Sequence, residues 1–286
     1  MRASIRATAW SAALLVGMLH VETAASVASA QTTAPPATHA DLSAQANNPN
    51  APLFQAYLQF GVVPETKGLD GYASEVQLLA GGPVLLPRFL TIPQLVRLEV
   101  PLLTTPNPGR VTGLGDIDLV DVAMVVRKKS LSLGVGFALV LPAATSSRTG
   151  SGKWQLGPAL GFMYTGVPNL IVGALIQNPI SIGGDSTRED VNELQITPTL
   201  TYTLPDGWFV GLGDFDWVFD WEGDSTLVPL VLQVGKVTKI GRHGLSLSAE
   251  AGPWIVHPDP PYPVWGVRVA AGVLFPGVTF GKGKKH

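Results

Sequence analysis

Cysteine is absent from the 286 residues, and charge is scarce, with Asp, Glu, Lys and Arg making up only 14%. The missing cysteines exclude disulfides, thiolate metal sites and a lipid-modified N-terminal cysteine. Average chains carry about 25% charged residues, so the surface is under-charged for water. No run approaches the ~20 consecutive apolar residues of a membrane helix. A formal net charge of −2 leaves no electrostatic footprint for nucleic acid. Metal-ligand spacing, a phosphate loop and a nucleophile elbow are also missing, so no cofactor is expected. Low charge without spanning helices suits a β-barrel, in which apolar residues interleave with small and polar ones.

The N-terminus reads as a targeting segment. Arg2 and Arg6 precede an apolar run at 9–19 and the cleavage signal Ala28-Ser29-Ala30, which predicts a signal peptide over 1–30 and a mature start at Gln31. Residues 31–52 are polar and rich in Ala and Pro, and are expected to form a disordered periplasmic lead-in. The barrel is assigned to 53–280, and 281–286 form a basic tail.

From Leu53 the pattern has a period of two, the signature of strands whose side chains alternate between faces. In 131–141, Leu131, Leu133, Val135, Phe137, Leu139 and Leu141 oppose Ser132, Gly134, Gly136, Ala138 and Val140. The run 154–164 repeats this across a polar, Gly-rich loop. These strands are about eleven residues long, whereas soluble strands average about five or six and bilayer-crossing ones need about nine to eleven. The greasy face is therefore expected to meet lipid. The small face (Gly134, Gly136, Gly157, Gly161) should line a lumen with room for a solute.

Twelve strands are predicted, starting near 53, 74, 94, 113, 131, 154, 170, 191, 208, 226, 243 and 263. An even count suits a closed antiparallel transmembrane barrel, and most short turns alternate with longer loops, as periplasmic and outer connections do. Trp154, Tyr164, Tyr202, Trp208, Trp221, Trp254, Trp265 and Phe275 fall near strand ends, which fits interfacial girdles and ordinary core aromatics equally. Asp121 falls on the lipid face in strict register, a cost that a β-bulge near 119–121 would relieve.

A weak repeat, GLGDID at 113–118 and GLGDFD at 211–216, falls on strands four and nine, nearly opposite in a twelve-stranded ring. Alternation turns Ile117, Phe215 and Trp217 outward and the aspartates inward. Two readings fit: a carboxylate cluster lining a pore, or glycines relieving crowding with aspartates bonded to lumen neighbours. The whole inward set is acidic: Glu75, Glu99, Asp116, Asp118, Asp214, Asp216, Asp220 and Glu250, against Arg97 and Arg268. A channel lined by one sign of charge gathers counter-ions, so cations or neutral solutes should pass in preference to anions. Ser–His chemistry is disfavoured, because His243 and His257 lie at opposite ends of one strand. The acidic loop at 184–192 reads as a solvated loop more readily than as a calcium site.

Three motifs together resemble one family: GLGDIDL at 113–119, the strand end LVLPAAT at 139–145, and GSGKW at 150–154 followed by LGPALG. They resemble the outer-membrane barrel family labelled for the "MetA-pathway of phenol degradation". The resemblance implies passage of small compounds, aromatic ones among them, and it supplies no catalytic residues. Barrels of this kind end on an aromatic residue that the assembly machinery reads, whereas here Phe280 is followed by GKGKKH. The combined expectation is a Gram-negative outer-membrane barrel without enzymatic activity. It would sit in a bilayer with lipopolysaccharide and act as a passive channel for small, aromatic or hydrophobic solutes. A structural or adhesion barrel with a plugged lumen is the alternative.

Overall fold

The structure is a computed structural model that describes residues 39–48, 53–84, 92–241 and 243–276. The expected signal peptide and basic tail lie outside the described residues. Within them, sixteen strand segments form twelve antiparallel staves. These are β1 (Leu53–Lys67), β2 (Ala73–Val84), β3 (Gln94–Thr104), β4 (Thr112–Leu114 and Ile117–Arg127), β5 (Leu131–Leu141) and β6 (Lys153–Tyr164). They continue as β7 (Leu170–Gln177 and Ile180–Gly184), β8 (Glu193–Thr203), β9 (Trp208–Leu212 and Trp217–Asp220), β10 (Ser225–Pro229 and Leu232–Ile240), β11 (His243–Val256) and β12 (Tyr262–Pro276). Every stave starts within two residues of its sequence expectation. Sequential neighbours pair around the ring, and β1 pairs with β12 from Leu53↔Pro276 to Lys67↔Tyr262, which closes the barrel.

Closure settles which way each face points. The exterior carries large apolar side chains such as Val135, Phe137, Leu160 and Leu200, all exposed. A contiguous apolar surface of this extent is solvated by lipid and not by water. Tyr164, Tyr202 and Trp208 ring the end with the short turns, and Trp154, Trp221 and Trp265 ring the end with the longer loops. One predicted girdle member departs from this, Trp254, which is buried inside the barrel; Phe275, at the short-turn end, packs beside Phe54 and His243.

The glycines of the β5–β6 hairpin leave less free space than predicted. A Cβ on Gly134 would lie 2.3 Å from Val122 Cγ1, one on Gly136 1.8 Å from the Asp121 carbonyl oxygen, and one on Gly157 1.7 Å from that of Asn178. The missing side chains admit the chain's own neighbours instead of a solute; only Gly161, with Val122 at 3.5 Å, has ordinary clearance.

Asp121 keeps strict register, opposite Val96 and Phe137. The bulge lies further along β4, between Ala123 and Val126, so it does not turn Asp121 inward. The carboxylate stays on the lipid face at mid-strand, with Oδ1 buried and lacking a hydrogen-bond partner. Nothing in the structure offsets this cost. Asp121→Leu should therefore stabilise the refolded barrel by about 1–2 kcal/mol, read as a rise in the urea midpoint with unchanged slope; a lowered midpoint would contradict the lipid-facing placement.

The lead-in also departs from expectation. Instead of being disordered throughout, it contains an α-helix, α1 (His39–Ala46). Leu42 and Ala46 are buried with Leu53, Phe209, Val237 and Leu274. These partners come from β1, β9, β10 and β12, so α1 sits within the short-turn end of the barrel.

Candidate functional site: the barrel lumen

Two of the staves that bend inward are those that carry the Gly-Asp repeat. Gly115 and Asp116 interrupt β4, and 213–216 interrupt β9. Glycine makes the second bend possible: a Cβ on Gly213 would meet Val231 Cγ1 at 2.7 Å and Glu250 Oε2 at 2.8 Å. Within the bend the Phe215 amide bonds back to the Gly213 carbonyl at 3.0 Å. This breaks the alternation and turns Phe215, predicted to face lipid, into the barrel. There it meets Trp254 edge-to-face with centroids 5.9 Å apart. Val63, Ala73, Leu103 and Val231 complete an apolar layer toward the loop end.

Below that layer lies a charged one. Arg97 on β3 reaches across the lumen and donates from Nη2 to Asp214 Oδ2 on β9 at 3.0 Å. Its Nε lies 2.5 Å from Glu99 Oε1, and Gln77 donates to the other Glu99 oxygen. Arg268 donates to Glu250 Oε2 from Nε at 3.2 Å and from Nη2 at 2.7 Å, to Gln59 from Nη1 at 3.2 Å, and to the Asp214 carbonyl from Nη2. Its guanidinium carbon stands 4.1 Å from the Phe215 ring centre, coupling the two layers. Thr197 donates to Asp216 at 2.5 Å and Gln233 to Glu250 at 2.7 Å. Glu75 is buried on the same inward face, and Asp118 pairs in register with Glu99.

Of the ten residues predicted to line the lumen, eight converge on this layer, as six carboxyls and two guanidinium groups. Asp116 and Asp220 do not join them. Asp116 accepts from the Ser151 amide at 2.6 Å, its hydroxyl at 2.7 Å and the Ala144 amide at 3.3 Å, which fastens the 142–152 loop. Asp220 accepts from the Glu222 and Gly223 amides, each at 3.0 Å, and shapes the tight β9–β10 turn. Both have a local, loop-ordering role that alternation alone could not distinguish from a lumen role.

The loop rim is cross-braced. Lys153 Nζ pairs with Asp190 at 2.7 Å, and Arg188 donates to the Ser147 and Gly150 carbonyls at 2.6 Å each. Asp185 accepts from the Thr187 hydroxyl at 2.7 Å and amide at 2.9 Å, which holds its carboxyl below the usual range. Asp185 and Asp190 are thus engaged in bracing the rim, and no group of three metal-ligating side chains occurs among the described residues. His257 stacks on Tyr262 at 3.6 Å, at the opposite end of β11 from His243.

Between the charged layer and α1 lies a cavity of about 330 Å³. Its wall is mostly divided lengthwise, with Arg97 and Ser132 on the more apolar side and Leu53, Phe209, Leu212 and Ala270 on the more polar one. Staves β2 to β7 contribute Leu79, Leu95, Val120, Val122, Met124 and Met163, whereas β1, β8, β10 and β11 contribute Gln55, Tyr57, Gln59, Thr201, Gln233 and Ser246. Inward charge alone does not reveal the apolar half. Its signal is the run Val120, Val122 and Met124 on the inward face of β4, alternating with Leu119, Asp121 and Ala123.

No family model matches the chain, and no curated protein matches it. Among solved structures it is similar to an outer membrane channel from Pseudomonas putida F1, with 11% identity over 78% of this chain and 94% of that one and a TM-score of 0.54. It is also similar to the NanC porin, with 11% identity over 77% and 98% and a TM-score of 0.49, and to the KdgM porin, with 11% identity over 78% and 98% and a TM-score of 0.43. At such identities the first likeness concerns the fold, and the other two scores are too low to add to it. The fold belongs to the closed antiparallel barrels of outer-membrane proteins.

Proposed function

We propose that this chain is a passive outer-membrane channel of a Gram-negative bacterium, held here in a closed arrangement. It would pass small solutes that combine an apolar side with hydrogen-bonding groups. One observation carries this reading, the 330 Å³ cavity with one apolar and one polar wall. Its volume is in the range of small-molecule sites. A purely structural barrel of this size has no need to hold such a space open, because lumen side chains can fill it. The excess of carboxyls beside the cavity favours neutral or cationic solutes over anions. Both guanidinium groups are already engaged by carboxylates, which leaves little to attract an anion. The sequence resemblance points to the same class, small aromatic or hydrophobic compounds. The outer leaflet would present lipopolysaccharide to the long-loop end, and insertion would depend on the outer-membrane assembly machinery.

A second reading is favoured by the two layers that block the lumen toward the loops: a structural or adhesion barrel that never opens. Planar-bilayer recording separates the two. Discrete conductance steps, together with liposome swelling in phenols or small aromatic amides exceeding that in charged aromatic acids, are the expected result. Electrical silence with no swelling in any solute, in the parent and in a variant lacking residues 39–48 alike, would establish the structural barrel.

A further inference from the structure

A segment of the chain outside the barrel wall partly covers the short-turn end of the cavity. We propose that α1 is an autoinhibitory plug that undocks from the short-turn end to open the cavity.

The position fits a plug. Leu42 and Ala46 insert among Leu53, Phe209, Val237 and Leu274, and Asn47, just past the helix, forms part of the cavity wall. The helix also touches the β8–β9 turn at Pro205–Gly207. Gln55, a cavity residue, donates to the Ala46 carbonyl at 2.9 Å and caps the end of the helix. Asn48 and Leu53 are only five residues apart, so the tether keeps an undocked helix beside the mouth it leaves.

The strength of docking fits a reversible closure. An eight-residue helix is too short to persist in water without packing, so α1 exists because it is docked. Yet its described side chains contribute only two buried apolar groups. Between them Ser43 is fully buried, and its hydroxyl lacks a hydrogen-bond partner. An unmet buried hydroxyl opposes docking, and leucine or alanine at this position would bind better. A permanent structural strut would hold neither the orphan hydroxyl nor so small an apolar face. A ligand filling the cavity from the short-turn end must displace Asn47 and the adjoining turn of α1, so occupancy and opening would be linked.

The chain has no cysteine, so a single introduced thiol reports on the cavity alone. Ser248→Cys on the polar wall is treated with a small water-soluble maleimide in the full-length refolded barrel. It is compared with the same thiol in a Leu42→Asp/Ala46→Asp background and in a variant lacking residues 39–48. Labelling is expected to accelerate by at least about tenfold in both backgrounds. Heat-modifiable migration in gels checks that each barrel has folded, and the deletion serves if the aspartates misfold. Equal labelling rates with and without the docked helix would overturn the plug. The readout does not require conduction. Faster labelling in a barrel that stays electrically silent would retain the plug and remove the channel reading, whereas conduction with unchanged labelling would do the reverse.

Discussion

Arg268→Ala is expected to lower the unfolding free energy of the barrel by about 3–5 kcal/mol, the usual result of removing one member of a buried, hydrogen-bonded ion pair. Arg268 and Glu250 are 6% and 4% exposed. Removing the guanidinium strips Glu250 Oε2 of two donors and takes one each from Gln59 and the Asp214 carbonyl. It also removes the cation that lies against Phe215. Lysine is not a substitute, because one ammonium cannot present three nitrogens to partners on β1, β9 and β11. Arg268→Lys should therefore recover less than half of the loss. Adding Glu250→Gln to Arg268→Ala should recover part of it, because the stranded charge is then gone; the double-mutant cycle isolates that coupling. Urea unfolding followed by tryptophan emission measures the parent, the Glu250→Gln single variant that the cycle requires, and the three variants above. A loss below about 1 kcal/mol for Arg268→Ala would mean that water reaches Glu250 and that the layer is not a dry constriction.

The barrel was readable because alternation constrains every residue in a strand that separates lipid from lumen. One residue of slippage in β5 would put Leu133, Val135 and Phe137 inside. Strand ends were readable for the same reason, since the alternation fails where polar turn residues begin. The inward bend of β9 was not. Phe215 alternates correctly with Asp214 and Asp216, and nothing in that hexapeptide marks the Phe215 amide as bonding back to Gly213. The cue available was the second glycine of each repeat, placed where a Cβ would collide with Leu103 and Pro101 or with Val231 and Glu250. Glycine in a strand signals a close approach, but it does not say on which side of the wall.

The candidate site was half legible for a related reason. Inward charges stand out against a low-charge background, so the acidic layer could be assembled from sequence, apart from the two aspartates that turned to loop amides. The apolar lumen wall could not. Strict alternation from Asp116 and Asp118 turns Val120, Val122 and Met124 inward and Asp121 outward, the reverse of what their chemistry favours. Only the register with β3 and β5 resolves the conflict, and it does so by leaving the charge in lipid. Helix α1 was illegible because its eight residues have no apolar periodicity strong enough to announce a helix. Its fold depends on contacts with four staves that the local sequence does not contain.

On the proposed channel reading, Arg97→Ala should raise conductance and shift selectivity toward cations, because Arg97 does two separable things. Its bond to Asp214 at 3.0 Å ties β3 to β9 across the lumen, and its charge offsets Glu99 and Asp214 within a layer of six carboxyls. Removing it takes away the bar and one of the two positive groups together, so the permeability ratio for potassium over chloride should rise by about tenfold, the scale on which a one-signed lumen concentrates counter-ions. Arg97→Ala/Asp214→Asn divides the two effects. The bar is still gone, but the layer's formal charge matches the parent, so conductance should rise as before while the reversal potential stays near the parent value. Asp214→Asn alone should shift selectivity the opposite way. If the single and double variants shift selectivity equally, the layer does not set the ion preference and the constriction lies elsewhere, with the apolar layer of Phe215 and Trp254 the next to test. If all of them conduct like the parent, the Arg97–Asp214 bond is not part of the closure.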